Sequence, residues 1–388
     1  MEILYKSLFY ISAFVIVWAM VGYPKSIKII GRLYNSRKLE KDYTHQPTVT
    51  VMVVAHNEEK VILDKLNNII EIDYPRNKIE FLITSDNSTD RTNEVVRQFI
   101  EEHPNFKIRL YEVKARKGKT NAQNEAHKLV STDFMVLTDA NSIMDKKSVK
   151  ELMAAFTSED IAYVTGRLSF INQKTSDISG AQATYWDSDV AIREIEGRVQ
   201  TITAGNGAIY ACRTKDYIDF NPIQSHDIAM PRFYALEGRR AICNHDALVY
   251  EKAGEVIEDE FSRKVRMNRT ILKHILPELR IFNVFQYKWF SYFYFGHRTC
   301  RYLLWISHLV LLISNVFLLN DSWFYIVAFV GQLLFYSLAI IKIFSKTNNK
   351  YVTMIYYYCA TVIAQWVGVY NIVSGKAKPF WEKAESTR

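Results

Sequence analysis

Carboxylate and carboxamide side chains recur in three short stretches of this chain: His56-Asn57-Glu58, Ser85-Asp86-Asn87-Ser88-Thr89-Asp90 and Asp139-Ala140-Asn141. Such groups accept hydrogen bonds from a base or a ribose, and their oxygens hold a hard divalent cation that neutralises phosphate charge. Taken singly, each stretch is equally well a helix cap or a turn. A fourth stretch, Lys114-Ala115-Arg116-Lys117-Gly118-Lys119, joins cations that answer a diphosphate to a glycine that permits close backbone approach; a solvated basic turn is the alternative. It lacks the GxxxxGK[ST] spacing, and GxGxxG is missing as well, which disfavours a P-loop ATPase and a nicotinamide enzyme. Downstream lie Gly205-Asn206-Gly207-Ala208, Ser225-His226-Asp227 and the arginines Arg263 and Arg266. A carboxylate such as Asp227 can take a proton from a hydroxyl nucleophile, and arginines clamp diphosphates.

These groups need a scaffold that brings them together. Residues 48–55 (TVTVMVVA) form a continuous apolar, β-rich run, as expected of a strand covered on both faces. Residues 58–70 read as an amphipathic helix capped by Asn57. Then follow a strand at 80–84, a helix at 89–101, a strand at 108–111, a helix at 121–129 and a strand at 134–138. This βαβαβ succession predicts an open, mainly parallel α/β sheet, whose ligands bind beyond the carboxyl ends of the strands. The loops after Ala55, Thr84 and Thr138 therefore carry the three carboxylate stretches to one edge.

Of the 388 residues, 49% are apolar and 14% aromatic, which excludes a disordered or fibrous chain. The net charge of +8 suits an anionic partner, but the basic residues cluster beside apolar runs and not on one recognition element, which argues against nucleic acid. Cys212, Cys243, Cys300 and Cys359 are widely spaced, so neither a zinc site nor a disulfide framework is indicated. Residues 7–23 form an uncharged anchor followed by Lys25, Lys28, Arg32, Arg37 and Lys38, which places the following region in the cytoplasm and the N-terminus outside. Three more uncharged runs, 302–320, 322–341 and 351–375, are long enough to span hydrocarbon. Four crossings would leave the basic tail, with Lys376, Lys378, Lys383 and Arg388, outside and against the same charge rule, so a segment is re-entrant or the tail is exported. Residues 279–295, aromatic but carrying Arg280 and Lys288, suit a helix lying in the membrane interface; a short buried helix is the alternative. The expected division is an anchor at 1–24, a cytoplasmic catalytic domain at 25–276, interfacial helices at 277–300, three spans at 301–375 and a basic tail at 376–388.

With these motifs assembled, the chain from Thr48 onward resembles the membrane-embedded family 2 glycosyltransferases of the cellulose, chitin and hyaluronan synthase type. The resemblance implies a GT-A fold that binds a nucleotide sugar, usually a UDP-sugar, with Mg2+ or Mn2+, and transfers the sugar with inversion. By that likeness Asn57, Glu58 and Asp86 lie near the nucleoside, Lys119 faces the donor, and Asp139 with Asn141 holds the metal and diphosphate. Asp227 stands in the place of the catalytic base, and Gly205, Asn206, Gly207 and His226 stand on the acceptor side. Arg263 and Arg266 are the expected diphosphate clamps.

Three departures qualify the likeness. Asn141 replaces the second acid of a DxD motif, so metal affinity falls or Asp145 assists; His226 precedes the base, to tune it or simply to pack. Lys264 stands where processive synthases keep a tryptophan platform for the acceptor sugar. The leading expectation is a transferase that builds and translocates an extracellular or capsular polysaccharide. The alternatives are transfer of a single sugar to a lipid-linked acceptor, or a catalytically silent membrane scaffold. Membrane lipids, a glycan or lipid-linked acceptor and a homo-oligomer complete the expected partners of this integral plasma-membrane or inner-membrane protein.

Overall fold

The run at 48–55 forms β1 (Val49–Ala55), buried along its whole length because helices cover both faces. The computed structural model describes residues 1–34, 39–172, 177–254, 257–345 and 349–380. Its other strands are β2 (Ile79–Ser85), β3 (Ile108–Glu112), β4 (Phe134–Asp139), β5 (Ile143–Met144), β6 (Ile161–Phe170), β7 (Ile209–Arg213) and β8 (Arg240–Glu251). They make one sheet in the order β3-β2-β1-β4-β7-β6-β8-β5. The first four of that order are mutually parallel, β7 runs antiparallel to both its neighbours, β8 is parallel to β6, and β5 is antiparallel to β8. Register then does the positioning. Ala55 lies opposite Ser85 and Val54 opposite Asp139, so the loops after β1, β2 and β4 emerge side by side.

The helix expected at 58–70 starts later, at Ile62–Ile70, and Asn57 is not its cap. Asn57 adopts a left-handed backbone, φ 53°, and its side-chain oxygen accepts the Thr89 amide hydrogen at 2.7 Å. The asparagine ties two loops together instead of starting a helix, a use that αL-tolerant Asn permits.

Around the sheet's second half lie a long helix, Asp177–Val199, and the amphipathic helix Ile257–Met267. Both face the membrane helices. Among the described residues, three helices are each long and apolar enough to cross a bilayer: Glu2–Leu33, Trp323–Phe344 and Lys350–Val373. The run expected to supply the second span gives Leu304–Phe317, bent by 61° from Trp289–Tyr302, and only the two together are long and apolar enough for a broken span or a re-entrant loop. At 1.5 Å per residue its 14 residues reach about 21 Å, short of a ~30 Å hydrocarbon core. It still runs antiparallel to the first helix, since Tyr5 stacks on Phe317 and Lys6 pairs with Asp321 at 3.0 Å. Trp323–Phe344 returns alongside, with Tyr336 bonded to His308 at 2.8 Å.

The expected interfacial helix at 279–295 is instead a series of short helical segments. Ile281, Tyr287, Phe290 and Tyr294 are buried against Ala235 and Leu236, and Phe293 packs with Tyr23 and Ile192, so most of these aromatics meet protein and not lipid. Phe285 and Leu279 remain exposed. Tyr23 itself donates a buried 2.6 Å hydrogen bond to Glu196, joining the first membrane helix to the catalytic half.

Past Lys350–Val373 the chain turns at Gly375, φ 71°, and reaches the catalytic domain. The Pro379 carbonyl accepts from Arg269 at 3.0 Å, and Arg116 lies over the Phe380 ring at 4.8 Å. Arg37, Lys38, Lys383 and Arg388 lie outside the described residues. Residues 379 and 380 thus touch the catalytic half; a tail on that half's side of a membrane would satisfy the charge rule. A fluorescent reporter fused after Arg388 is accordingly expected to fold and fluoresce in the cytoplasm of intact cells, whereas a reporter at Met1 stays dark; the reverse pattern would overturn this arrangement.

Candidate active site

The loop after β2 is built around Asp86. Its two carboxylate oxygens accept the backbone N–H groups of Lys117 and Gly118 at 3.1 and 2.8 Å, and the side chain is buried. Expected near the nucleoside, Asp86 is first of all the anchor of the basic 114–119 loop. His56 Nδ1 donates to the Asp86 carbonyl at 2.8 Å, and the Glu58 amide donates to Thr92 Oγ1 at 2.8 Å, so the 56–58 and 85–92 loops form one unit. Gly118 has φ 95°, and a Cβ there would fall 2.5 Å from the Pro379 carbonyl oxygen. Both its conformation and its neighbour require glycine.

Gly118 leads into the helix Lys119–His127 and aims Lys119 across the sheet edge. The Lys119 ammonium donates to an Asp139 carboxylate oxygen and, at 3.0 Å, to the Gly207 carbonyl. Gly207 in turn lies against Asp227: a Cβ on it would sit 3.4 Å from that carboxyl group. Asp227 occupies the first turn of the helix His226–Leu236, where the dipole complements a negative charge, and the Ser225 hydroxyl donates to its Oδ1. Asp86, Lys119, Asp139, Gly207 and Asp227 are thus brought into one continuous chain of contacts.

Other expectations meet a different outcome. His226 is buried, stacks on Tyr217 and donates through Nε2 to the Ile218 carbonyl at 3.2 Å. Burial pushes its pKa down to about 3, so it is a neutral packing group and not a titrating partner of Asp227. Gly205 is glycine because a Cβ would collide with the Tyr163 hydroxyl; its amide donates to the Asp227 carbonyl at 2.6 Å. Asn206 is buried, with Oδ1 accepting the Ala208 amide hydrogen at 3.0 Å and Nδ2 without a partner among the described residues. Arg263 makes a two-pronged pair with Glu260 at 2.7 and 2.8 Å and lines a membrane-side cavity together with Lys264. Arg266 follows one turn later on that helix. The Asp145 carboxylate accepts the Lys147 amide hydrogen at 2.9 Å, a turn-forming contact ahead of the next helix.

Two residues of the site escaped sequence reasoning. Arg269 donates to the Gln224 carbonyl at 3.3 Å as well as to Pro379, and burial lowers its pKa while the charge of Asp227 opposes that shift. Lys65 is fully buried behind the site, with its ammonium on Thr138 Oγ1 at 3.0 Å and on the Ser142 carbonyl. Desolvation pulls its pKa down to about 7 against the fields of Asp139 and Glu251. A lysine inside the apolar stripe Ile62, Leu66, Ile69 was the available signal.

Among the described residues no group of three His, Cys, Asp or Glu side chains could hold a metal by itself. Asp139 ends β4 half-buried with its charge answered by Lys119, and Asn141 follows two residues on. Such a set fits a hard cation that takes its remaining ligands from substrate phosphates.

A family model described as glycosyltransferase like family 2 matches residues 46–270. The chain belongs to that family. It is therefore a glycosyltransferase, and inversion is characteristic of the family. Over 144 residues this glycosyltransferase is 26% identical to a β-monoglucosyldiacylglycerol synthase of Nostoc sp., covering 37% of this chain and 31% of that one. Over 206 residues it is 24% identical to a poly-β-1,6-N-acetyl-D-glucosamine synthase of Staphylococcus epidermidis, covering 52% and 48%. The chain thus spans less than half the length of these curated relatives. Its fold matches the solved mannosyltransferase PcManGT from Pyrobaculum calidifontis, in complex with GDP-Man and Mn2+, with TM-score 0.71 and 19% identity over 95% of this chain and 99% of that one. The fold is thereby GT-A-like: a mixed α/β sheet, mostly parallel, with one apolar helix before it and two after it.

The lysine behind the site has a measurable signature. Its folded pKa of about 7 lies below the ordinary value of 10.5, so between those values the unfolded chain binds more protons and stability rises with pH. Lys65→Met is expected to flatten the rise in unfolding midpoint from pH 7 to pH 10 relative to the parent. Parallel profiles would contradict a buried, easily neutralised ammonium. For His226, substitution by Phe is expected to leave the acid limb of the transfer-rate profile in place.

Proposed function

We propose that the protein transfers a sugar from a nucleoside diphosphate sugar, with inversion, to a hydroxyl acceptor held at the cytoplasmic face of a membrane. The observation that carries this reading is the Lys119 bridge, which sets Asp139 and the Gly207 loop beside Asp227, so that a cation for a leaving diphosphate and a proton-accepting carboxylate face one space. The resemblance to UDP-sugar enzymes and the fold likeness to a GDP-Man-binding protein make uridine and guanosine diphosphate sugars the donors to test.

The chemistry follows from the groups present. Asp227 takes the acceptor hydroxyl proton as the oxygen attacks the anomeric carbon; the bond to the diphosphate breaks on the opposite face, and configuration inverts. Ser225 and the first turn of its helix hold the carboxylate in place. Lys119 answers the charge that grows on the departing diphosphate. Asp139 and Asn141 would hold Mg2+ or Mn2+, which when bound supplies further charge stabilisation of the diphosphate.

Addition of one sugar to a membrane lipid is favoured over chain growth. Lys264 lies over the Tyr357 ring at 3.9 Å and pairs with Glu260, so the helix offers no aromatic platform to a sugar chain. Synthesis and export of a polysaccharide is the second reading, supported by the likeness to a poly-N-acetylglucosamine synthase.

Asp227→Asn is expected to cut transfer by about 10²–10⁴-fold while leaving donor affinity within roughly twofold. Asp139→Ala should weaken metal-dependent donor binding itself. Isothermal titration with the nucleotide sugar, beside release of the nucleoside diphosphate, separates the two; equal loss of binding in both variants would break the assignment. Sizing of labelled product decides between single addition and chain growth, and nucleotide binding without release from any donor would leave only the scaffold.

A further inference from the structure

A cavity of about 1960 Å³ lies between the membrane helices and the catalytic half. Its upper walls are apolar, with Ile16, Leu304, Leu311, Phe335 and Met354 drawn from all four membrane-facing helices. Its lower rim comes from Asp177–Val199 and Ile257–Met267, and the 61° bend between Tyr302 and Leu304 lies on its wall. The charge of the lining is lopsided: seven lysines and arginines against two aspartates. Asp189 answers Arg193 and Arg301 and also meets His297, and Glu260, from outside the lining, answers Arg263 and Lys264. Arg298, 6% exposed, donates through Nε to Thr203 at 3.0 Å, and its Nη2 has no partner among the described residues.

A buried guanidinium nitrogen without an acceptor loses hydration that no protein group replaces, and a phosphate oxygen is the acceptor that restores it best. Apolar walls above a cationic floor match a molecule with the same polarity, an amphiphile with an anionic head. A neutral glycan would answer neither the excess charge nor the aliphatic walls.

The floor also leads to the chemistry. Thr203, which receives Arg298, lies two residues before Gly205, whose amide bonds the Asp227 carbonyl. On the other side Asn268 lines the cavity next to Arg269, the arginine beside Asp227. From these observations we infer that the cavity binds a membrane lipid with a phosphate-bearing head, held by Arg298 and Arg301, with a hydroxyl beyond the phosphate directed toward Asp227 as the acceptor. In the transfer that hydroxyl gives its proton to Asp227, its oxygen bonds the anomeric carbon, and the nucleoside diphosphate leaves with the electron pair of the broken bond. The acceptor role rests on the transferase reading above; the binding site does not.

The test uses the full chain in detergent and fluorescent phosphatidylglycerol, which carries both phosphate and hydroxyl, beside diacylglycerol of the same acyl chains. Phosphatidylglycerol should bind at least about tenfold more tightly, and Arg298→Gln or the more exposed Arg301→Gln should each erase about tenfold, the loss of one charge-assisted hydrogen bond. Unfolding midpoints of both variants establish that they are folded, and Arg301→Gln carries the test if Arg298→Gln is not. Equal binding of the two lipids, displacement by maltohexaose, or displacement by millimolar inorganic phosphate would overturn the inference, the second in favour of a glycan path and the third in favour of a plain anion site. Lipid binding with these preferences but no nucleoside diphosphate release from any donor would sustain the site and sink the transferase reading instead.

Discussion

One ammonium group holds the two halves of this site in register. Lys119 reaches the Asp139 carboxylate at the end of β4 and the Gly207 carbonyl in the loop before β7, two segments that the antiparallel pairing of β4 and β7 would otherwise leave open to each other. Everything upstream serves to aim it. Asp86 pins the basic loop through two backbone amides, Gly118 supplies the left-handed turn, and the helix beginning at Lys119 projects the side chain over the sheet edge. Remove that charge and Asp139 loses its ion-pair partner while the Gly207 carbonyl loses its donor.

The same economy of few, shared partners governs the boundary with the membrane. Asp189 and Glu196 lie on one helix and between them pair with Arg193, His297, Arg301 and Tyr23, groups that come from three separate stretches of chain. Ion pairs in such a place add little net stability against an apolar core, since desolvation offsets the attraction, but breaking one partner leaves an uncompensated charge. The cluster therefore fixes geometry more than it adds stability.

Much of this was legible in the residues. The continuous apolar strands and the helices between them carry strong periodic signals, and the rule that ligands sit beyond parallel strand ends led directly to Asp86 and Asp139. Asp227 was legible only through resemblance, since nothing local in Ser225-His226-Asp227 sets it apart from a turn. What failed did so for tertiary reasons. Asn57 reads as a cap because its partner, Thr89, lies in another loop; the aromatic run at 279–295 reads as lipid-facing because the surface it packs on belongs to residues far away in sequence. Lys65 and Arg269 carry no motif at all, and His226 reads as a pH-sensitive group until its burial is known.

The hydrogen bond from Tyr23 to Glu196 has a practical meaning for how this enzyme can be handled. A cut between the first helix and the catalytic half, at the position where composition changes most sharply, would pass through a buried contact and not a linker. A shortened, water-soluble version of the protein would expose the apolar face made by Ile192, Val199 and Phe293 and leave the buried Glu196 carboxylate with one donor fewer, His297 and Thr203 remaining. Catalytic half and first helix thus share a packed interface, which a preparation meant for study has to keep.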